Sequence, residues 1–353
     1  MTHTLDRRAA LRAVLVLAVV ALAWLALSTL LGGPASAETE SSGASAGGVN
    51  LFWQNLFNGL LFGLLLALAS VGLSLIYGTT KLSTFAHGEQ VSFGALLAFF
   101  LTTKETVSLP FIPAEFTIGL PLIPAAIIAV ILAAGTGWLQ DKYLWAPLRH
   151  RHVTVVQQMI VSIGLSLAMV NLLQLWMGQD SHRLTTSIAV KHQFGPIQTS
   201  YSMLAAMAIA VIALLAVAYF LQRTRLGRAT RAVSDNPSLA AASGIKVDAI
   251  VRLVWILAAG LAALGGVLLA LYQNGWGADD GGKLLMMMFA AVTLGGLGHA
   301  YGALVGSVVI GIVAEVSTQW LGSDLKYATA LLILILVLLV RPQGILGKSE
   351  RVG

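Results

Sequence analysis

Few side chains in this 353-residue chain have the type and spacing that does chemistry. There is no cysteine, which removes a disulfide framework, thiolate zinc and a cysteine nucleophile, and the seven histidines form no HExxH pair or other metal-ligand spacing. Gly347-Lys348-Ser349 ends like a phosphate-binding loop, but Pro342 stands where that loop requires its first glycine. No dinucleotide fingerprint or paired-carboxylate loop is present. The residues therefore predict no enzyme, no resident cofactor and no metal. What remains is His87 and Glu89, set in Phe85-Ala-His-Gly-Glu89 among apolar neighbours. A carboxylate at mid-bilayer costs about 2.5–3.5 kcal/mol on insertion scales unless it is paired or faces water. A helix starting near Gly88 would turn free N–H groups and its positive end toward that carboxylate. Two readings stay open: His87 and Glu89 shape a polar pathway or gate, or they cap a helix start near the membrane interface. Asn58 and His299 are further pathway candidates, although Asn58 and Asn171 serve equally well as interhelical hydrogen-bond formers. Glu315 reads as an interfacial residue near the end of its span.

The elements that must position these groups are membrane helices. Apolar residues make up 57% of the chain and charged residues 10%, against about 45–50% and about 25% in an ordinary soluble domain. A net charge of +6 on so apolar a chain has no polar surface on which to spread a nucleic-acid footprint, so no nucleic-acid partner is expected. Residues 1–37 read as a signal peptide or an extra N-terminal transmembrane helix, with Arg7-Arg8, an apolar run and Ala35-Ser36-Ala37 in order. Residues 38–50 read as a flexible extracellular linker. Apolar runs follow near 55–77, 85–103, 117–139, 153–178, 201–221, 249–272, 284–297, 301–319 and 326–340, most of them close to the roughly 20 residues that cross a bilayer. The fold expected is all-α, a polytopic membrane helix bundle of about eight or nine spans. Alternating the connections from an external residue 50 puts 16 basic residues inside and 5 outside, the sense of the positive-inside rule, with a cytoplasmic C-terminus in the cell membrane.

Two runs are interrupted, one opening with Phe85–Glu89 and one closing with Leu294-Gly-Gly-Leu-Gly298. Paired interruptions point to an inverted repeat with a pathway at its interface, because non-helical backbone survives at depth only where protein or a cavity satisfies it. Gly59-x-x-x-Gly63 and Gly298-x-x-x-Gly302-x-x-x-Gly306 read as close-packing faces, within the chain or between subunits. The longest cytoplasmic connection, 222–248, holds a fully punctuated short helix: Asn236 as N-cap, Pro237 at the first position, Ser238, Leu239, Ala240, Ala241, Ala242 and Ser243 as its body, and Gly244 after its end. Alone, so short a helix is marginal in water, so it must dock, on a groove of another protein or on its own spans. Arg223, Arg225, Arg228 and Arg231 before it would meet acidic partner groups or anionic lipid headgroups.

Phe57-Asn58-Gly59, Tyr77-Gly78, Phe85–Glu89, Arg225–Ala229, Ala240–Ile245, Leu294–Gly298 and Arg341-Pro-Gln-Gly-Ile-Leu-Gly347 resemble, in order and spacing, the branched-chain amino acid permeases of ABC importers, LivH type, over roughly residues 50–348. The resemblance implies a heteromeric importer in which a permease domain (51–348) works with a second homologous permease, two ATP-binding subunits and an extracellular substrate-binding protein. It makes 236–244 the coupling helix and moves a small-molecule solute by switching between outward-open and inward-open states. The family also includes urea and short-amide permeases, and the residues do not separate these cargoes. A different class, an autonomous transporter using Glu89 as a proton or sodium site, is distinguished by needing no partner.

Overall fold

A computed structural model describes residues 51–103, 107–109, 112–116, 118–184, 190–195, 197–322, 325–340 and 344. The expected leader 1–37 and linker 38–50, the Arg341–Gly347 motif apart from Gly344, and Lys348-Ser349 lie outside the described residues. In chain order come α1 (Leu51–Thr80), α2 (His87–Thr102), β1 (Val107–Leu109), β2 (Ile112–Phe116), α3 (Leu122–Gln140), a π-helical turn (Asp141–Trp145) that continues into α4 (Ala146–His150), and α5 (Val155–Met177). Then follow β3 (Lys191–Phe194), β4 (Ile197–Ser200), α6 (Tyr201–Arg223), α7 (Arg225–Asp235), α8 (Pro237–Ala242), α9 (Val247–Gln273), α10 (Asp280–Gly295), α11 (Ala300–Leu321) and α12 (Lys326–Val340).

Each apolar run read from the sequence coincides with a helix, and the two antiparallel hairpins, β1–β2 and β3–β4, occupy connections between helices. Six helices among the described residues are long and apolar enough to cross a membrane: α1, the continuous Leu122–His150 unit, α5, α6, α9 and α11. The other three, α2, α10 and α12, have 16, 16 and 15 residues. Contacts fix the directions. Gln54 at the start of α1 bonds the backbone of Gln198 in β4, while Gly78 at its far end accepts from Ser234 of α7. One end of the bundle therefore carries the hairpins and the other carries α7 and α8.

Helices α1 and α9 are apolar all round and buried along most of their length, the pattern of a helix enclosed by others. Small residues bring the neighbours close. A Cβ on Gly59 would lie 2.7 Å from the Ile312 Cα, and one on Gly63 would lie 2.8 Å from the Val308 Cα. Gly302 and Gly306 of α11 face Gly295 and Ala291 of α10 in the same way. Both small-residue patterns of the sequence thus pack helices within the chain. On α3, Ala125, Ala129, Ala133 and Gly137 recur every fourth residue and are all buried, with Gly137 against the Trp255 carbonyl of α9.

At the hairpin end, Lys326 of α12 pairs with Glu315 of α11, whose carboxylate also accepts from the Tyr272 hydroxyl of α9 at 2.8 Å. The Lys326 ammonium stands 3.9 Å from the Phe62 ring centroid of α1. Glu315, read from sequence as interfacial, is a buried tie among four helices. In contrast, α5 and α6 leave most of their surface uncovered by the rest of the chain.

Overpacking a tight interface costs about 1–3 kcal/mol or more. Gly311→Val, whose side chain would be driven into Gly63, is expected to lower the thermal midpoint of the detergent-solubilised protein clearly, whereas Gly135→Val, with open space around it, is expected to leave it unchanged. Differential scanning fluorimetry of the two variants checks the contrast.

Candidate functional site

After α1 ends at Thr80 the chain does not cross the bundle from that end. The connection 81–86 turns back along α1, and His87 Nε2 donates to the Ala69 carbonyl at 3.0 Å. At 1.5 Å per residue, Ala69 lies about 16 Å before Thr80. Helix α2 therefore begins partway across the bundle and runs to the hairpin end. The same construction recurs from the opposite end: α9 stops at Asn274 in the left-handed conformation, the connection 274–279 turns back, and α10 runs toward α7 and α8. The two short helices meet start to start. Gly88 and Gly281 face each other so closely that a Cβ on either would be driven into the other's carbonyl.

Glu89 lies in this crossing, in the first turn of α2 and beside Gly282 in the first turn of α10. Its Oε1 accepts from Ser166 Oγ of α5 at 3.3 Å, and its Oε2 has no hydrogen-bond partner among the described residues. Both helix starts direct positive partial charge here, which favours a carboxylate by up to about 2 kcal/mol in partly buried geometry. Next to it, Gln90 Nε2 donates to Gln140 Oε1 of α3 at 2.9 Å, and the Phe85 N–H donates to Ser162 Oγ of α5 at 3.2 Å. Ser92 Oγ accepts twice, from the Gly281 N–H at 2.9 Å and from Trp276 Nε1 at 3.0 Å, and so ties the two helix starts together. The 274–279 connection is further held by a paired backbone bridge between His182 and Trp276 and by Gln174 on Asp279.

The four pathway candidates of the sequence are not brought together. His87 and Glu89 share the crossing, both almost wholly buried. Asn58 lies toward the hairpin end, where its Oδ1 accepts from Gln54 in its own helix at 3.0 Å. His299 precedes α11 at the opposite end, near the approach of Gly298 to Gly78. Asn171 donates to the Leu167 carbonyl of its own helix. Sequence reasoning passed over Ser92, Trp276 and Gly281, and it matched the interruption at 85–89 with the one at 294–298. The structural counterpart is 274–279, whose Asn274-Gly-Trp-Gly sequence followed by Asp279-Asp-Gly-Gly282 carries the turn signal.

The short helix of the 222–248 connection forms as its punctuation requires. Asn236 Oδ1 accepts from the Leu239 N–H at 3.0 Å, Pro237 takes the first position and Gly244 has φ +83°. Ala240 alone of this helix is turned inward, while Pro237, Leu239, Ala241, Ala242 and Gly244 are exposed. The arginine stretch before it is itself an amphipathic helix, α7, started by Thr224 and packed through Gly227, Thr230 and Val233. Its Arg225, Arg228 and Arg231 lie on the other side.

The family described as branched-chain amino acid transport system, permease component, matches residues 55–340. The high-affinity branched-chain amino acid transport permease protein LivH of Salmonella typhimurium is 29% identical over 309 residues, covering 85% of this chain and 96% of the relative. BraD of Pseudomonas aeruginosa, described in the same terms, is 28% identical over 305 residues, covering 85% of this chain and 97% of the relative. Among solved structures, PsaBC of Streptococcus pneumoniae in complex with Fab is similar at 16% identity, with a TM-score of 0.45, over 82% of this chain and 92% of that one.

Removing the hydroxyl that joins the two helix starts leaves a buried backbone N–H and an indole N–H unpaired, each costing about 1–3 kcal/mol. Ser92→Ala is therefore expected to lower the thermal midpoint and to raise hydrogen exchange at Gly281, read by mass spectrometry on the solubilised chain.

Proposed function

The chain belongs to the branched-chain amino acid transport permease family, and from that premise we propose that it forms the membrane pathway of an ATP-driven importer for branched-chain amino acids and carries the docking segment for its ATPases. The observation that carries the docking reading is the exposed flank of α8, with Leu239, Ala241 and Ala242 turned away from the chain and the arginines of α7 beside it. Pro237 and Asn236 set where that flank begins, and Gly244 lets the chain turn into α9. Ala240 packs inward and supports the helix from behind.

On this reading the α7–α8 end and the C-terminus face the cytoplasm. Lys81, Lys142, Arg149, Arg151 and the basic residues of 223–252 would lie on that side, in keeping with the positive-inside rule. The protein is multi-pass, and the proposed crossings are six full helices, a pair of half-length helices and α12. The two long-then-short pairs, α1 with α2 and α9 with α10, support an inverted repeat whose halves meet at Gly88 and Gly281. His87 and Glu89 at that meeting point, Asn58 toward the outer end and His299 toward the inner end are the proposed pathway residues.

The assembly proposed is this chain with a second homologous permease, two ATP-binding subunits and an extracellular binding protein, in a lipid bilayer. ATP is hydrolysed by the partners, and this chain is non-catalytic. The likeness to LivH and BraD, both branched-chain amino acid transport permeases, favours Leu, Ile and Val over urea as cargo.

Replacing Leu239, Ala241 and Ala242 together by Glu puts charge on the exposed flank without disturbing Ala240. Co-purification of the ATP-binding subunits is expected to be lost while membrane insertion persists; retained co-purification would show that they dock elsewhere. In proteoliposomes holding the complete importer, Glu89→Gln is expected to cut uptake of labelled leucine about ten-fold, about 1.4 kcal/mol and within what a helix start contributes to a partly buried carboxylate, with unchanged protein yield. Wild-type flux in that variant would return Glu89 to a capping role. Uptake of labelled urea but not leucine by the wild-type complex would transfer the reading to the amide importers.

A further inference from the structure

The α8 segment is separated from α9 by only Ser243–Lys246, so a displacement of α8 enters α9 at its first turns. Those turns carry Asp248 and Arg252, and both are tied to the far end of the Leu122–His150 unit. Asp141 opens the π-helical turn, a distortion that re-aims side chains within a continuous helix. Its carboxylate is completely buried and doubly paired: Oδ1 with Arg149 Nη2 at 2.8 Å, Oδ2 with Arg252 Nε at 3.2 Å. Arg149 also reaches Asp248 at 3.5 Å, and His150 stands 3.6 Å from the same carboxylate. Beside this cluster, Trp145 stacks on Trp255 with ring centroids 5.2 Å apart and an interplanar angle of 13°. The small-residue stripe Ala125, Ala129, Ala133, Gly137 then continues the contact between α3 and α9.

The unit 122–150 and α9 are therefore joined along their length and pinned ionically beside the cytosolic segment. Neither α5 nor α6 has such a pin among the described residues. The residue before Asp141 extends the chain of contacts: Gln140 accepts from Gln90, next to Glu89 at the helix crossing. A buried carboxylate that bridges guanidinium groups from two helices resists separation of those helices, because pulling one away strips a partner from a charge in an apolar interior.

We propose that Asp141 is a positioning residue of the transport cycle: through Arg252 it transmits displacement of the α7–α8 segment to the 122–150 helix, so that this helix and α9 move as one body. The proposal rests on the reading that α8 docks an ATPase, and its test separates the two.

The chain has no cysteine of its own, so cysteines introduced in it as a pair and spin-labelled before assembly with its partners are the sole labelled sites. With Ile131→Cys on the exposed side of α3 and Leu167→Cys on the exposed side of α5, the distance distribution is measured by pulsed electron resonance in nanodiscs holding the complete importer, with ADP and with trapped ATP. The wild-type distance is expected to shift between the two states. Arg252→Gln, which leaves Asp141 paired with Arg149 and is therefore gentler than a change at Asp141 itself, is expected to shrink that shift by about two-fold or more, in the range that network residues contribute to coupling. Arg252→Lys, keeping the charge, is expected to restore most of it, and ATPase co-purification is expected to be equal in all three. A wild-type shift in Arg252→Gln, or no shift in the wild type with ATPases bound, overturns the proposal. Failure of the ATPases to bind the wild-type chain would overturn the docking reading, and this proposal with it. A purely structural role would lower the thermal midpoint of Arg252→Gln and leave the shift intact.

Discussion

The arrangement depends on one constraint: two helices start inside an apolar bundle, where every backbone group must still find a partner. In hydrocarbon an unpaired N–H costs several kcal/mol, so irregular backbone at depth is admissible only when protein satisfies it. Here the first turns of α2 and α10 meet each other, and the Gly88–Gly281 contact leaves no room for a lipid or a side chain between them. Ser92 supplies one acceptor to both the α10 backbone and the Trp276 indole, and His87 supplies a donor to the Ala69 carbonyl. Because both connections turn back rather than cross, α1 and α9 must flank the meeting point, and Gly72, Gly94 and Gly266 let their backbones close on it.

That constraint explains why the charged residues sit where they do. Glu89 is tolerated at depth because it lies on two helix starts rather than beside a lipid-facing stripe. Glu315 and Asp141 are tolerated for another reason, each neutralised by a cation from a neighbouring helix, Lys326 for one and Arg149 with Arg252 for the other. Ion pairs of this kind add little net stability once desolvation is counted, but breaking one is costly. They specify which helices are neighbours at each end of the bundle, while the glycine and alanine faces of α1, α3, α10 and α11 specify how closely those helices approach.

Much of this was legible in the residues, and the failures have physical causes. Hydropathy located the six long apolar helices and the shorter α2, α10 and α12 because burial in a bilayer demands apolar length, and Asn236, Pro237 and Gly244 bounded α8 because capping is local chemistry. The half-length character of α2 was signalled by Glu89, a charge needing an explanation. Its counterpart at 274–279 carries its polar residues just outside the apolar run, where they resemble an ordinary connection. Helix α7 was hidden because its arginines dominate the composition, although Gly227, Thr230 and Val233 recur at the helical period. Asp141 gave no local signal at all: its partners lie 8 and 111 residues away, and only the tertiary structure unites them.

The same distribution of contacts separates parts that must move together from parts free to move apart. A helix held by interlocking small residues cannot slide by fractions of a turn without losing its close approach, so packed pairs behave as rigid bodies. By this criterion α1 with α11 and α3 with α9 are tightly packed pairs, and the half-helices are anchored to them, α10 to α11 through Gly295 and Gly302 and α2 to α9 through Gly94 and Gly266. Helix α5 lacks such a face toward the rest of the chain and meets the crossing chiefly through polar contacts, among them Ser162 to Phe85 and Ser166 to Glu89. A rearrangement that opens the crossing therefore costs least when α5 withdraws, since the hydrogen bonds of Ser162, Ser166 and Gln174 are lost rather than an interdigitated interface. Glu89 would be the first buried group uncovered by that movement.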